Sequence, residues 1–143
     1  MKTLLISIVL FSATGNWLTS FDTARQIATK DSKYILLNFS GSDWCAPCIK
    51  MKKEVFESEA FNKLADERLV LLRADFPRSK KNALPADLVK SNEALAEKYN
   101  PEGKFPFTLL LDSSGKVVKT WDGYVFASQD KVIDELQHAV VIP

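Results

Sequence analysis

The ten residues 42–51, SDWCAPCIKM, contain both cysteines of this 143-residue chain, Cys45 and Cys48. Two thiols at this spacing occur in redox pairs, in halves of metal sites and in structural disulfides. A short motif indicates a function only when its structural context agrees with it. The residues on either side of the motif therefore decide its chemistry, and with it the fold.

The motif lies between a predicted strand and a predicted helix. Residues 34–39, YILLNF, form a short apolar run rich in strand formers, and residues 40–43, SGSD, are typical of a turn. Pro47 suits the first turn of a helix, where a backbone N–H would have no partner. Apolar residues spaced between positions 51 and 56 continue that helix. Both cysteines are thus expected at the start of a helix that follows a buried strand.

The remaining segments alternate between helix and strand patterns. They are, in chain order, a helix over 22–30, a helix capped by Ser58, a strand over 69–75, a helix between Pro85 and Tyr99, strands over 107–111 and 116–121, and a final helix capped by Ser128. Residues 112–115, DSSG, have the turn chemistry that joins two strands as a hairpin. This order predicts an α/β domain with a mixed central sheet and helices on both faces.

The first residues have the pattern of a secretory signal peptide. Lys2 precedes an apolar run over 4–11, and small residues follow over 12–15. We expect a leader over 1–15, cleaved after Ala13 or Gly15, and a single domain over 16–143. An N-terminal helix or strand of a cytosolic protein is the alternative. The run is shorter than the ~20 residues that span a bilayer. A cleaved leader implies a periplasmic or secreted protein, where thiols can exchange with disulfides.

The composition narrows the classes of partner. The chain has 19 Lys and Arg against 18 Asp and Glu, and no basic block with interleaved aromatic residues, so nucleic acid is not an expected partner. Hydrophobic residues make up 46% of the chain, which is enough for one core without a metal or a disulfide. The two cysteines are therefore not needed as scaffolding.

The position of the cysteines favours redox chemistry. Free N–H groups and the positive end of the dipole at a helix N-terminus stabilise an anion, and the thiolate is the form of cysteine that attacks disulfides. Cys45 is placed to be that nucleophile. Cys48 follows three residues later in the same turn, so it can attack the mixed disulfide formed by Cys45 and release the partner.

Three other roles fit the residues less well. A zinc site needs about four ligands, whereas the chain offers two cysteines and His138, so we expect neither a metal nor a cofactor. A disulfide that closes so short a loop stabilises a fold little. Inert core cysteines are not expected beside Asp43 and Trp44 on a turn.

The motif Trp44-Cys45-Ala46-Pro47-Cys48 resembles the Trp-Cys-Gly-Pro-Cys of the thioredoxin family, with Ala46 in place of glycine. The resemblance extends from about Trp17 to the end of the chain. It implies the thioredoxin fold and disulfide exchange with protein thiols and disulfides. It also implies a cis-proline opposite the cysteines, which Pro106 in the segment 105–108, FPFT, matches; Pro101 is the alternative. Trp44, Pro47 and Phe105 would then line the surface that contacts substrate.

The chain departs from the family at Asn38. Thioredoxins carry a buried aspartate near this position, which relays a proton for the second cysteine, and an amide cannot do so. Either Glu54 or water accepts the proton of Cys48 instead, or the deprotonation of Cys48 is slower than in thioredoxins. The segments 40–43 and 50–56 look more like secreted bacterial members of the family.

The sequence predicts a protein thiol–disulfide oxidoreductase, but the direction of its reaction depends on its reduction potential. The Ala-Pro pair between the cysteines is close to the Gly-Pro of reductants, which favours a reductase kept reduced by a membrane thiol conduit. A disulfide oxidase or isomerase would use the same residues. A binding or chaperone-like module with idle thiols is the alternative from another class.

Overall fold

The computed structural model of the chain describes residues 15–124 and 129–140. The predicted leader over 1–15 lies outside these ranges except for its last residue, and the predicted cap at Ser128 lies outside them too. The described elements are α1 (Phe21–Asp31), β1 (Tyr34–Ser40), α2 (Ala46–Met51), α3 (Glu59–Arg68), β2 (Leu69–Asp75), α4 (Ala86–Tyr99), β3 (Phe107–Leu111), β4 (Val117–Asp122) and α5 (Gln129–Ala139). A π-helical turn, Lys52–Phe56, continues α2, and a short 3-10 turn, Lys80–Asn82, lies between β2 and α4.

The four strands form one mixed sheet in the order β2-β1-β3-β4. β1 is parallel to β2, and the other two neighbouring pairs are antiparallel. Asn38 in the middle of β1 lies opposite Arg73 of β2 on one side and Thr108 of β3 on the other. The predicted mixed sheet and hairpin are confirmed.

The central strand β1 is buried on both faces of the sheet, between which its side chains alternate. Ile35, Leu37 and Phe39 pack in a cluster with residues of α1 and α4. Leu36 points the other way and packs in a second cluster with residues of α3 and α5. Helices therefore cover both faces, as the sequence predicted.

The predicted continuous helix after the cysteines is wrong in one detail. After Met51 the helix widens into the π turn, in which the backbone N–H of Glu57 donates to the carbonyl of Lys52 at 3.0 Å. The wider turn buries both Val55 and Phe56, although they are adjacent in sequence. The pattern of apolar residues did not reveal this turn. An α-helix bonds residues four apart and a π-helix residues five apart, a difference too small to show in so short a segment.

The segment before α1 covers the outer edge of β2. Leu18 forms a parallel bridge with Leu72; its N–H donates to the carbonyl of Leu71 at 2.8 Å, and the N–H of Arg73 donates to its carbonyl at 2.9 Å. Ser20 then caps α1 by accepting from the N–H of Thr23. Within the described part of the chain, no helix is both long and apolar enough to cross a bilayer.

Candidate active site

Cys45 and Cys48 form a disulfide at the start of α2. Cys45 is the N-cap of this helix, and the backbone N–H of Cys48 donates to its Sγ at 3.3 Å. The N–H of Gly41 donates to Sγ of Cys48 at 3.5 Å. The two residues are 5% and 4% exposed, while Pro47 between them is exposed. Backbone N–H groups therefore donate to both sulfur atoms. Such donors would stabilise either sulfur as a thiolate.

Two carboxylates hold the turn that precedes Cys45. Asp75 at the end of β2 accepts from the N–H of Ser42 at 3.0 Å and from its hydroxyl at 2.5 Å. The carboxylate of Asp43 accepts from the backbone N–H groups of Arg78 and Ser79, both at 2.9 Å. The turn is thus tied to the segment that follows β2.

The same segment sets the charge state of Asp43. The N–H of Arg78 contributes most to lowering the pKa of this carboxyl below its usual value, followed by the side-chain amide of Asn82 at 2.9 Å. The sequence had indicated only a polar connection at residues 76–84, so this anchoring was missed. The sequence did contain a sign of this anchoring. Asp43 lies in a predicted turn, and aspartates in turns often accept hydrogen bonds from backbone N–H groups.

Aromatic side chains surround the turn on its outer side. The indole Nε1 of Trp44 donates to the carbonyl of Phe76 at 2.7 Å, and its ring meets that of Phe105 edge-on at 5.4 Å. Phe76 contacts Phe105 at 5.5 Å. The guanidinium of Arg78 lies 3.6 Å from the Trp44 ring centroid. A Cβ at Gly41 would collide with the indole, so only glycine leaves room for it.

These contacts bring the predicted Trp44 and Phe105 together and add Phe76 and Arg78, which the sequence did not single out. Phe76 directly follows β2, and Arg78 begins the basic stretch within residues 78–81. Both residues reach the cysteine motif because β2 is parallel to β1, so the two strands end at the same edge of the sheet.

Pro106 is buried and immediately precedes β3, and its peptide bond with Phe105 is cis. Its carbonyl accepts from the N–H of Gly123 at 2.9 Å. Because Phe39 pairs with Phe107, the start of β3 lies beside the end of β1, where the cysteine motif begins. Pro101, the alternative, is exposed and follows the end of α4.

A buried polar chain crosses the sheet under the motif. Asn38 is 2% exposed; its Nδ2 donates to Oγ1 of Thr108 at 3.1 Å, and Nε of Arg73 donates to its Oδ1 at 3.3 Å. Burial lowers the pKa of Arg73 to about 10, although Asp75 and Glu57 act in the opposite direction. The guanidinium also stacks on Trp17 at 4.0 Å from the ring centroid. The partners of Asn38 are thus a hydroxyl and a cation.

Glu54, which the sequence offered as a proton acceptor for Cys48, has other contacts. Its carboxylate accepts from the hydroxyl of Tyr124 at 2.7 Å and pairs with Lys50 at 3.2 Å. The Tyr124 hydrogen bond contributes most to lowering the pKa of Glu54. Burial, and then the same hydrogen bond, raise the pKa of Tyr124 to about 12. Glu54 is therefore an ionised carboxylate, which is poorly suited to hold a proton near neutral pH.

Among residues 15–124 and 129–140, no three His, Cys, Asp or Glu side chains are grouped closely enough to hold a metal ion. His138 lies on α5, where its Nδ1 is 3.5 Å from a carboxylate oxygen of Asp134.

Known proteins resemble this chain in sequence and in structure. The disulfide bond reductase DsbH of Chlamydia pneumoniae is 36% identical over 97 residues, which are 68% of this chain and 57% of that protein. The thioredoxin-related protein DsbJ of the same organism is 26% identical over 124 residues, which are 87% of this chain and 35% of that protein. A solved DsbH oxidoreductase structure superposes with a TM-score of 0.78 at 26% identity, covering 100% of this chain and 96% of the other.

The chain spans 57% and 35% of the lengths of these two curated relatives. The profile of the thioredoxin-like family matches residues 16–113, which include the cysteine motif, Pro106 and the first three strands. The resemblance that the sequence indicated is confirmed over residues 16–113. This chain belongs to the thioredoxin-like family.

Proposed function

We propose that this chain is a thiol–disulfide oxidoreductase that reduces disulfides in protein substrates. The observation that carries the proposal is the Cys45–Cys48 disulfide at the N-terminus of α2, with backbone N–H groups directed at both sulfur atoms. Such a pair can be opened and closed without rearranging the fold, because both sulfurs lie in one helical turn.

The reaction begins with the reduced pair. The Cys45 thiolate attacks one sulfur of the substrate disulfide; a Cys45–substrate bond forms, the substrate S–S bond breaks, and one substrate thiolate leaves. The Cys48 thiolate then attacks Sγ of Cys45, which forms the intramolecular disulfide and releases the second substrate thiolate. The substrate gains two electrons and two protons, and the Cys45–Cys48 pair is oxidised.

The residues beside the cysteines would hold the substrate. Trp44, Phe105 and the exposed Pro47 would supply an apolar contact, and the backbone next to Pro106 would pair with an extended substrate segment. Trp44 is fixed by its hydrogen bond to Phe76, so this contact surface is preformed.

The reducing direction and the location complete the proposal. One relative is named a disulfide bond reductase, and the Ala-Pro pair is close to that of reductants. A leader over 1–15 would direct a single domain, 16–143, to the periplasm or the medium. A membrane thiol conduit would return two electrons to the pair after each cycle.

Turnover of a protein disulfide tests the activity. With dithiothreitol as reductant, wild type should accelerate the reduction of a disulfide-bonded protein, and Cys45→Ser should fall to the uncatalysed rate. Cys48→Ser, the matched control at the same motif, should instead accumulate a mixed disulfide when the reduced variant is added to substrate after dithiothreitol has been removed. Equal rates for wild type and Cys45→Ser would show an idle thiol pair, as expected for a binding module.

Equilibration of the pair with glutathione buffers tests the direction. A potential near that of cytosolic thioredoxins, about −270 mV, supports a reductase, whereas one near about −120 mV would make the protein an oxidant. The N-terminal residue of exported protein tests the leader: residue 14 or 16 supports cleavage, and Met1 contradicts it.

A further inference from the structure

Three exposed cations, Arg78, Lys80 and Lys81, form a cationic segment that follows β2 beside the redox centre. They lie within four consecutive residues of a chain whose charges nearly cancel, at 19 Lys and Arg against 18 Asp and Glu. Within the described part of the chain, none of the three forms an ion pair with a carboxylate, whereas Lys104 forms two. The cationic segment is therefore a local excess of positive charge that no described carboxylate neutralises by contact.

A single carboxylate fixes the backbone of this segment. Oδ1 of Asp43 accepts from the N–H of Arg78, and Oδ2 accepts from the N–H of Ser79 and from the side-chain amide of Asn82, all at 2.9 Å. Both oxygens of Asp43 are thus occupied by N–H groups rather than by the cationic side chains. Because Asp43 precedes Cys45 by two residues, the cationic segment is tied directly to the redox motif.

The guanidinium of Arg78 is held in place as well. Its carbon lies 3.6 Å from the centroid of the Trp44 ring, and the indole is itself fixed by its hydrogen bond to the carbonyl of Phe76. A guanidinium stacked on an aromatic ring keeps the N–H groups at its edge available, and these groups match the two oxygens of a carboxylate. A preorganised site for a carboxylate therefore lies on the residue that directly precedes Cys45.

A substrate at the redox centre would pass the cationic segment. The ring of Trp44 contacts Arg78 on one side and Phe105, the residue before Pro106, on the other. A substrate strand paired beside Pro106 and joined to Cys45 would therefore have side chains within reach of the guanidinium. The two lysines, on long flexible stems, extend the positive charge to more distant positions of the same strand. The partner brought here in every turnover is a polypeptide, and its anionic side chains are aspartate and glutamate.

We propose that the cationic segment binds aspartate or glutamate side chains located within a few residues of the reacting cysteine of a protein substrate. The proposal rests on the proposed function and specifies its substrate class: disulfide-bearing chains with acidic residues beside the cysteine.

A peptide series tests this preference. Disulfide-linked peptides would carry one glutamate at each position up to five residues on either side of the cysteine, with glutamine and lysine peptides for comparison. At low ionic strength we expect kcat/KM at one or more positions to be about 3- to 10-fold higher for glutamate than for lysine, because exposed ion pairs are individually weak. Sodium chloride at about 0.5 M should remove most of this difference by screening. Equal rates for glutamate and lysine at every position at low ionic strength would overturn the proposal.

Two matched double variants locate the effect. The double variant Arg78→Gln, Lys80→Gln should lose most of the glutamate preference. The double variant Lys30→Gln, Arg68→Gln removes two exposed cations from the last turns of α1 and α3, near the opposite ends of β1 and β2, and should keep the preference. Because both variants meet the same peptides, the effect of charge on the peptide's own reactivity cancels. An equal loss in the two variants would mean that only net charge matters and would overturn the proposal.

Two further measurements separate this proposal from the proposed function. The uncharged glutamine peptides report the cysteine chemistry alone, and failure to reduce any peptide would contradict the function. Binding of cysteine-free peptides to the Cys45→Ser, Cys48→Ser double variant, followed through the indole N–H resonance of Trp44, reports the cationic segment alone. A larger shift with a glutamate peptide than with a lysine peptide supports the proposal, and equal shifts or none contradict it. Binding to vesicles of phosphatidylglycerol and phosphatidylcholine, without any glutamate preference, would assign the cations to a lipid surface and overturn the proposal.

Discussion

The redox motif has carboxylates on its outer side, whereas the described polar chain beneath it consists of an amide, a hydroxyl and a guanidinium. Outside, Asp43 and Asp75 accept hydrogen bonds that fix the turn before Cys45. Beneath, Asn38 links a hydroxyl to the buried guanidinium of Arg73. The family's acid lies near the Asn38 position, where this chain has a neutral amide beside a cation. The two described carboxylates beside the motif therefore fix its turn, and the polar chain beneath it places an amide beside a cation.

Removing the buried amide should have the largest effect on stability. Asn38→Leu leaves the Thr108 hydroxyl and the Arg73 guanidinium without this partner, and buried unpaired groups cost about 1–3 kcal/mol each. We expect the free energy of unfolding to fall by about 2–4 kcal/mol, measured by urea denaturation of the oxidised protein. A loss below about 1 kcal/mol would mean that water replaces the amide.

Restoring a carboxylate at the same position should change the kinetics instead. In Asn38→Asp the new side chain can still accept from Arg73 and can also accept from the Thr108 hydroxyl. We expect release of the mixed disulfide by Cys48 to become only about threefold faster, because the new carboxylate supplies a base beneath the motif but the Arg73 guanidinium lowers its pKa and so weakens it. Single-turnover quenching with a peptide disulfide measures this step. An unchanged rate would show that the proton leaves by another route.

The outer carboxylates should respond to acid. The folded protein holds the pKa of Asp43 below its unfolded value, so the contribution of this group to stability is present above that unfolded value and is lost as the pH falls through the lower folded one. The amide resonances of Arg78 and Ser79 should therefore titrate below pH ~3.9. Asp43→Asn, which cannot ionise, should remove this titration; its persistence would assign it to another carboxyl.

The smallest effect is expected at the contact between Glu54 and Tyr124. The pKa of Tyr124 is raised to about 12, so this group stabilises the fold below pH ~10 and the contribution is lost as the pH rises through about 12. Absorbance titration should show one phenol with this late midpoint, absent in Tyr124→Phe. The variant should keep its disulfide reductase rate, because the contact does not reach the cysteines; a large loss would give Glu54 a role in the reaction.

The sequence predicted the features that are determined by residues close together along the chain. The apolar runs, the caps and the hairpin turn predict the element order, and the cysteine spacing before a helix predicts the thiol pair. Phe76 and Arg78 were not predicted, because their roles arise from the parallel pairing of β1 with β2, which places distant segments at one edge. Arg73 did leave a signal, as a charge within the apolar strand LVLLRAD.

The backbone bonds of Leu18 have a consequence for how the chain is processed. An edge strand with open hydrogen-bonding groups invites pairing with other chains, and Leu18 occupies these groups on β2. Cleavage after Ala13 or Gly15, as proposed for the leader, leaves this cover on the mature protein. A cut only a few residues later would remove it and leave two backbone groups of β2 open to pairing with another chain.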